Sequence, residues 1–446
     1  MKRKVIKYHG TSVILSLALL FLFAAGASAN AEIPGITGPT FNLETGTASF
    51  PTPDGDSLFV WLYGDGSNAV QYPGPTLIVN QGDTVTVNLT NTLSVPTSIV
   101  FPGQGEVTDP AAPSGTPGLL TREAAASGGT VSYQFTATHP GTYEYHSGTN
   151  TELQVEMGLV GAIIVRPAGF NQTTNRTAYG TPDSAYNHEY LFLLSEMDPY
   201  IHDLVDFGFM NLVDNTEAFP VFWFINGRNG VDTLSDHGVP WRPNQPYGAL
   251  ARTRPGEKVL LRLIGGGRDQ HAFHPHGNHS RIIARDGRLL SSNGGTSANL
   301  ATDQFTISPT PGGTVDAIFD WTSKGLGWDI YGTGPGFQHQ CNGMNLNQGP
   351  SPGIDPDTGE DCEYHGVEIP VSLPGLQDLT FGGWYSGSPF LGQFGQLPPG
   401  EGGLNLNGGL FFMWHSHNEK ELTNFDIFPG GMLSFVVIEP PGTPIP

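Results

Sequence analysis

Cysteine and positive charge are what this chain has least of. Only two cysteines occur in 446 residues, Cys341 and Cys362. That excludes a disulfide-dense scaffold and a four-cysteine metal site. Lysine and arginine number 19 against 41 acidic residues, for a formal net charge of −22. Such a balance opposes nucleic acid and anionic membrane surfaces as partners. Apolar runs long enough to cross a membrane are missing as well. The run Val13 to Ala25 is too short for a comfortable span. It follows Lys2, Arg3, Lys4 and Lys7 and precedes Ala27-Ser28-Ala29, so residues 1–29 read as a secretory signal peptide. The expected location is therefore secreted or periplasmic/extracellular.

In an exported protein the two cysteines default to one disulfide. His339 and His365 flank them as H-x-C…C-x-x-H, which leaves a zinc site as the alternative.

Glycine and proline are plentiful, at 61 and 37 residues, and no long amphipathic helix follows the signal. Short β-branched and aromatic segments separated by turn residues predict an all-β fold. Leu77 to Leu89 reads as two strands around Gly82-Asp83. Further strands are expected at 130–136, 159–165, 190–194, 221–225, 259–264, 280–284, 315–321, 410–414 and 433–438. The two halves echo each other, closing on MGLVGAIIV and GGMLSFVVIEP. The reading is two β-sandwich domains, 35–170 and 186–440, joined by a polar linker at 171–185. An irregular insertion interrupts the second at about 332–408.

Histidines carry the chemistry. In a strand, residues two apart share a face. His274 and His276 in His271-Ala-Phe-His274-Pro-His276 therefore point one way, and His271 points to the other side. His415 and His417 in Met413-Trp-His415-Ser416-His417 form a second same-face pair. His146 lies in Gly141-Thr-Tyr-Glu-Tyr-His146-Ser-Gly148. Imidazoles clustered without thiolate favour copper or zinc.

These segments resemble the multicopper oxidase family. PGPTLIVNQGDTVTVNLTN is similar to its opening strands, GTYEYHSG to its G-T-x-x-Y-H-S-H segment, HAFHPHG to H-P-F-H-L-H-G, and MWHSH to its H-C-H segment. The resemblance implies two cupredoxin-like Greek-key β-sandwich domains. It also implies copper ligands at His146, His274, His276, His415 and His417, with His271 as the surviving ligand of a blue-copper site. Family members hold a three-copper cluster with four His-x-His pairs. Here Val100 and Pro102 replace the first pair, and Gly148 replaces the partner of His146. Ser416 stands where the family has its blue-copper cysteine, and Glu421 where it has a further histidine. The resemblance thus implies one or two copper ions rather than four, and no blue copper. A copper-dependent oxidoreductase is expected, with a small-molecule or metal-ion electron donor and dioxygen as partners, but without ordinary laccase turnover. The alternative is a non-catalytic copper-binding or structural surface protein. Two-domain relatives imply a homotrimer. Glu152, Glu419 and Glu421 are expected to be solvated surface charges.

Overall fold

The computed structural model describes residues 32–67, 69–110, 114–324 and 410–439, with short pieces at 354–355, 359–361, 387–389 and 444–445. Residues 1–31, both cysteines with His339 and His365, and most of 332–408 lie outside the described residues, so the expected signal peptide and disulfide fall there.

The first half is a sandwich of two four-stranded sheets. One runs in the order Ile36–Thr37, Leu77–Asn80, Val160–Arg166, Gly141–His146. The other runs Ser57–Gly64, Thr40–Pro51, Thr84–Asn91, Gly129–Thr136. Thr84–Asn91 shows why these residues make strands. Val85, Val87 and Leu89 point into the core while Thr86 and Asn88 between them face outward. The hairpin of Thr40–Pro51 and Ser57–Gly64 is an addition to the sequence-predicted strands; its partners are in register from Glu44–Gly64 to Pro51–Ser57.

The second half pairs a seven-stranded sheet with a five-stranded one. The larger is centred on His188–Met197, Lys258–Gly265 and Thr314–Asp320. The smaller runs Ala251–Thr253, Leu433–Ile438, Leu410–Ser416, Phe273–Pro275, with Gly387–Pro389 added on Leu410–Ser416. Phe192, Phe273, Phe319 and Trp414 fill the space between them.

A third apolar cluster joins the halves. Val160, Ala162 and Ile164 pack against Leu191, Leu193, Phe222 and Phe224, while Ile163 and Val165 of the same strand enter the first core. Burial on both faces explains why this strand is a continuous apolar run rather than an alternating one. The helix Pro199–Asp206 starts on Asp198, whose side chain accepts from Tyr200 N at 2.9 Å. It sends Ile201 and Val205 into the first core. The polar segment 171–185 also packs: Ala178 and Tyr179 bury against Leu260, Ile283 and Ile318.

Polar groups cross the same boundary. Arg166 and Arg262 both pair with the buried Glu189, with Arg262 Nε at 3.1 Å. Arg262 Nη1 donates to Thr142 Oγ1 at 3.0 Å, and Thr142 donates to Asp316 Oδ1 at 2.5 Å. Burial pushes the Glu189 carboxyl up, but the two guanidiniums outweigh it and hold it down at about 2. Glu189→Gln leaves two buried cations short of an anion, so a loss of about 3–5 kcal/mol is expected in urea titrations. Because the folded pKa is depressed, the stabilisation from Glu189 is present above about pH 4.3 and fades as pH falls towards 2. In Glu189→Gln that part of the acid dependence should vanish.

Candidate functional site: a four-histidine cluster and a carboxylate-clasped histidine

Antiparallel pairing between Phe273–Pro275 and Leu410–Ser416 sets His274 opposite His415. The pairing continues through His417 N to Ala272 O at 2.7 Å and His276 N to Met413 O at 3.1 Å. Both His-x-His pairs therefore face the same side. Ring centroids are 4.6 Å apart for His274–His276, 4.3 Å for His274–His417, 5.1 Å for His276–His415 and 5.2 Å for His415–His417. His274, His276 and His415 are buried, and His417 is exposed at the rim.

Hydrogen bonds orient the rings. His274 Nδ1 lies 2.6 Å from Phe305 O, and His415 Nδ1 lies 2.7 Å from Ser416 O. A carbonyl can only accept, so each Nδ1 carries the proton and each Nε2 keeps its lone pair. The Nε2 atoms of His276 and His415 are 3.0 Å apart, and with the His415 proton on Nδ1 the bond runs from His276 Nε2 to His415 Nε2. Burial, followed by repulsion from neighbouring imidazoles, lowers His276 to about 3. Burial likewise takes His274 and His415 down to about 4, against the hydrogen bonds to carbonyls. All three are neutral at pH 7, the form a metal requires. Copper is implied by the family, and these donors fit it in kind: neutral imidazoles, with Nδ1 anchored on a carbonyl at His274 and His415. They fit in number only as pairs. Among the described residues, no three His, Cys, Asp or Glu side chains stand together closely enough to hold a metal ion.

His271 stands apart, turned to the opposite side of the strand as the spacing predicts. It is fully buried between two carboxylates, with Nε2 at 2.8 Å from Glu196 Oε2 and Nδ1 at 3.0 Å from Glu421 Oε2. Burial would lower its pKa. Hydrogen bonds and charge from Glu196 and Glu421 instead raise it to about 9. Ser416 Oγ donates to Glu421 Oε2 at 2.5 Å, and Asn418 Nδ2 donates to Oε1 at 2.9 Å. Glu421 is thus buried at 2 % exposure, correcting the expectation of a solvated charge. The turn Glu419–Leu422 folds it back beneath the strand. Glu152 and Glu419 are exposed as expected.

Glu196, which the sequence reading missed, is held from a second direction. Its Oε1 accepts from Arg268 N at 2.6 Å and Asp269 N at 3.0 Å. A Cβ on Gly267 would lie 2.1 Å from Glu196 Oε2, so this turn requires glycine. The Gly265-Gly266-Gly267 run was the one visible signal of a close approach here.

His146 does not join the four. It lines a cleft of about 500 Å³ with Glu144, Glu152, Glu156, Glu196 and Arg268. Its Nδ1 lies 2.9 Å from Ser147 O, and it makes no ring contact with the cluster among the described residues. Glu144 shares its face of the strand, and burial alone pushes the Glu144 carboxyl up to about 8.

His271→Ala leaves Glu196 and Glu421 buried without their cation, and a loss of about 3–5 kcal/mol is expected on denaturation at pH 7. The folded pKa is raised, so the stabilisation is full below about pH 6.5 and lost as pH rises through 9. The difference between wild type and His271→Ala should shrink accordingly between pH 7 and 10.

Residues 66–169 match the family model described as multicopper oxidase. The iron transport multicopper oxidase FET3 of Saccharomyces cerevisiae is 33% identical over 286 residues, covering 64% of this chain and 38% of that protein. A copper resistance protein A homolog of Pseudomonas syringae pv. tomato is 31% identical over 288 residues, covering 59% of this chain and 46% of that protein. The chain thus spans less than half the length of these curated relatives. Among solved structures, the blue copper oxidase from Nitrosomonas europaea superposes with a TM-score of 0.53 at 19% identity, covering 89% of this chain and 85% of that one. At that identity the likeness concerns the fold, which is the cupredoxin fold.

Proposed function

We propose that this chain, a multicopper oxidase relative by its domain at residues 66–169, is an exported copper-dependent oxidoreductase that works without a blue copper. The observation that carries the reading is His271 held as a cation between Glu196 and Glu421. An imidazolium has no lone pair to give a metal. Ser416 cannot supply the soft sulfur ligand of a fast electron acceptor, and its hydroxyl is already given to Glu421. His271, listed by resemblance among the copper ligands, is on this reading a structural cation.

Copper, one or two ions, belongs instead to His274, His276, His415 and His417, with the His276–His415 pair as its anchor. When bound, copper supplies a redox centre and an open position for a small molecule. The protein's part is to present Nε2 atoms, fix their tautomers through Phe305 O and Ser416 O, and keep the rings neutral. The set lies within one chain, so copper binding requires no homotrimer. The lack of three converging donors among the described residues also favours a binding role over turnover as the second reading.

Copper titration followed by EPR tests the assignment. His276→Ala and His415→Ala should each weaken copper binding at least tenfold, while His146→Ala leaves it within about threefold. Loss in His146→Ala would overturn the single-chain site. The wild-type copper form should lack intense visible colour. Joint replacement Ser416→Cys with Glu421→His, which supplies a thiolate and frees His271, should introduce a strong thiolate-to-copper absorption band.

A further inference from the structure

The strand Gly141–His146 turns a second acidic group into the cleft that has no part in the histidine cluster or in the clasp around His271. Glu144 is 3% exposed, lines the cleft, and has no hydrogen-bond or ion-pair partner among the described residues; its Oε2 is sealed from solvent. The other buried carboxylates there are satisfied. Glu156 accepts from Asp198 N at 2.6 Å and pairs with Arg268 Nη2 at 2.7 Å, and Glu196 holds His271. A buried carboxylate without a donor is costly, and a ligand that brings one removes the cost.

His146 stands two residues along on the same face. With its Nδ1 on Ser147 O, its Nε2 is left to accept. The cleft therefore offers two neighbouring acceptors, further negative charge from Glu152, and an apolar wall at Val155, in a space of about 500 Å³. That volume is in the range of small-molecule sites. A bare metal ion is disfavoured, since no three ligating side chains converge among the described residues. An ammonium group brings positive charge and three donors at once.

We propose that this cleft binds a small primary amine, with its ammonium on Glu144 and His146 and its apolar body along Val155. The site shares no residue with His274, His276, His415 and His417, and it rests on the reading that leaves His146 out of the copper set.

Calorimetry on the copper-free full chain tests it, with tyramine as probe and 4-ethylphenol as the counterpart without the amine. Tyramine should bind at least tenfold more tightly. Glu144→Gln should abolish that preference, and its melting temperature should not fall, because a neutral amide of the same size replaces a buried carboxyl that has no partner. His146→Ala is the second variant, expected to weaken tyramine severalfold. His276→Ala with His415→Ala should leave tyramine binding intact, and Glu144→Gln should leave copper binding intact, so the two readings fail separately. Equal affinity for both probes, or a preference that survives Glu144→Gln, overturns the proposal.

Discussion

The site depends on the antiparallel register that sets His274 against His415. A slip of one residue would send every histidine to the far face. The register is fixed from the apolar side. Phe273 and Trp414 enter the core beside Phe192 and Phe319, with Phe319 and Trp414 ring centroids 5.2 Å apart. Trp414 Nε1 also donates to His276 O at 3.0 Å, tying one histidine strand to the other through a buried bond. Packing of the aromatic face thus positions the imidazole face, although the two share no atoms.

The same register divides the chemistry in two. His415 and His417 point to the cluster, and Ser416 between them points to Glu421 and His271. On one side, burial first and then repulsion from neighbouring imidazoles keep the rings neutral. On the other, a single imidazole is charged because carboxylates flank both nitrogens. Identical side chains a few residues apart are driven in opposite directions by their partners. That separation distinguishes a ligand set from an ion pair, and spacing alone does not reveal it.

What was legible in the sequence follows from local geometry. Period-two alternation marked Thr84–Asn91, and His-x-His spacing placed two pairs on one face. The opposite direction of His271 followed from its odd offset. What escaped depends on contacts distant in sequence. Glu196 meets His271 75 residues away. Glu421 looked like surface charge because nothing local told of the turn that buries it. The polar composition of 171–185 hid Ala178 and Tyr179, which pack on the second half. His146 was grouped with the other histidines by motif, yet its strand opens onto the cleft.

Glu196 links the two regions of the molecule. One of its oxygens faces backbone donors at the cleft and the other grips His271, whose far side reaches Glu421 and then Ser416 between His415 and His417. A buried pair of carboxylates is tolerable only with a cation between them, and on the proposed reading that cation has no lone pair left for copper. Restoring a metal at His271 would therefore require removing a carboxylate as well as adding a thiolate. Glu421 is the one to change, because Glu196 is also locked to the glycine turn at Gly267. On that reading the group around His271 is a replacement for a blue-copper position with its own internal balance, and the cysteine alone would not reverse it.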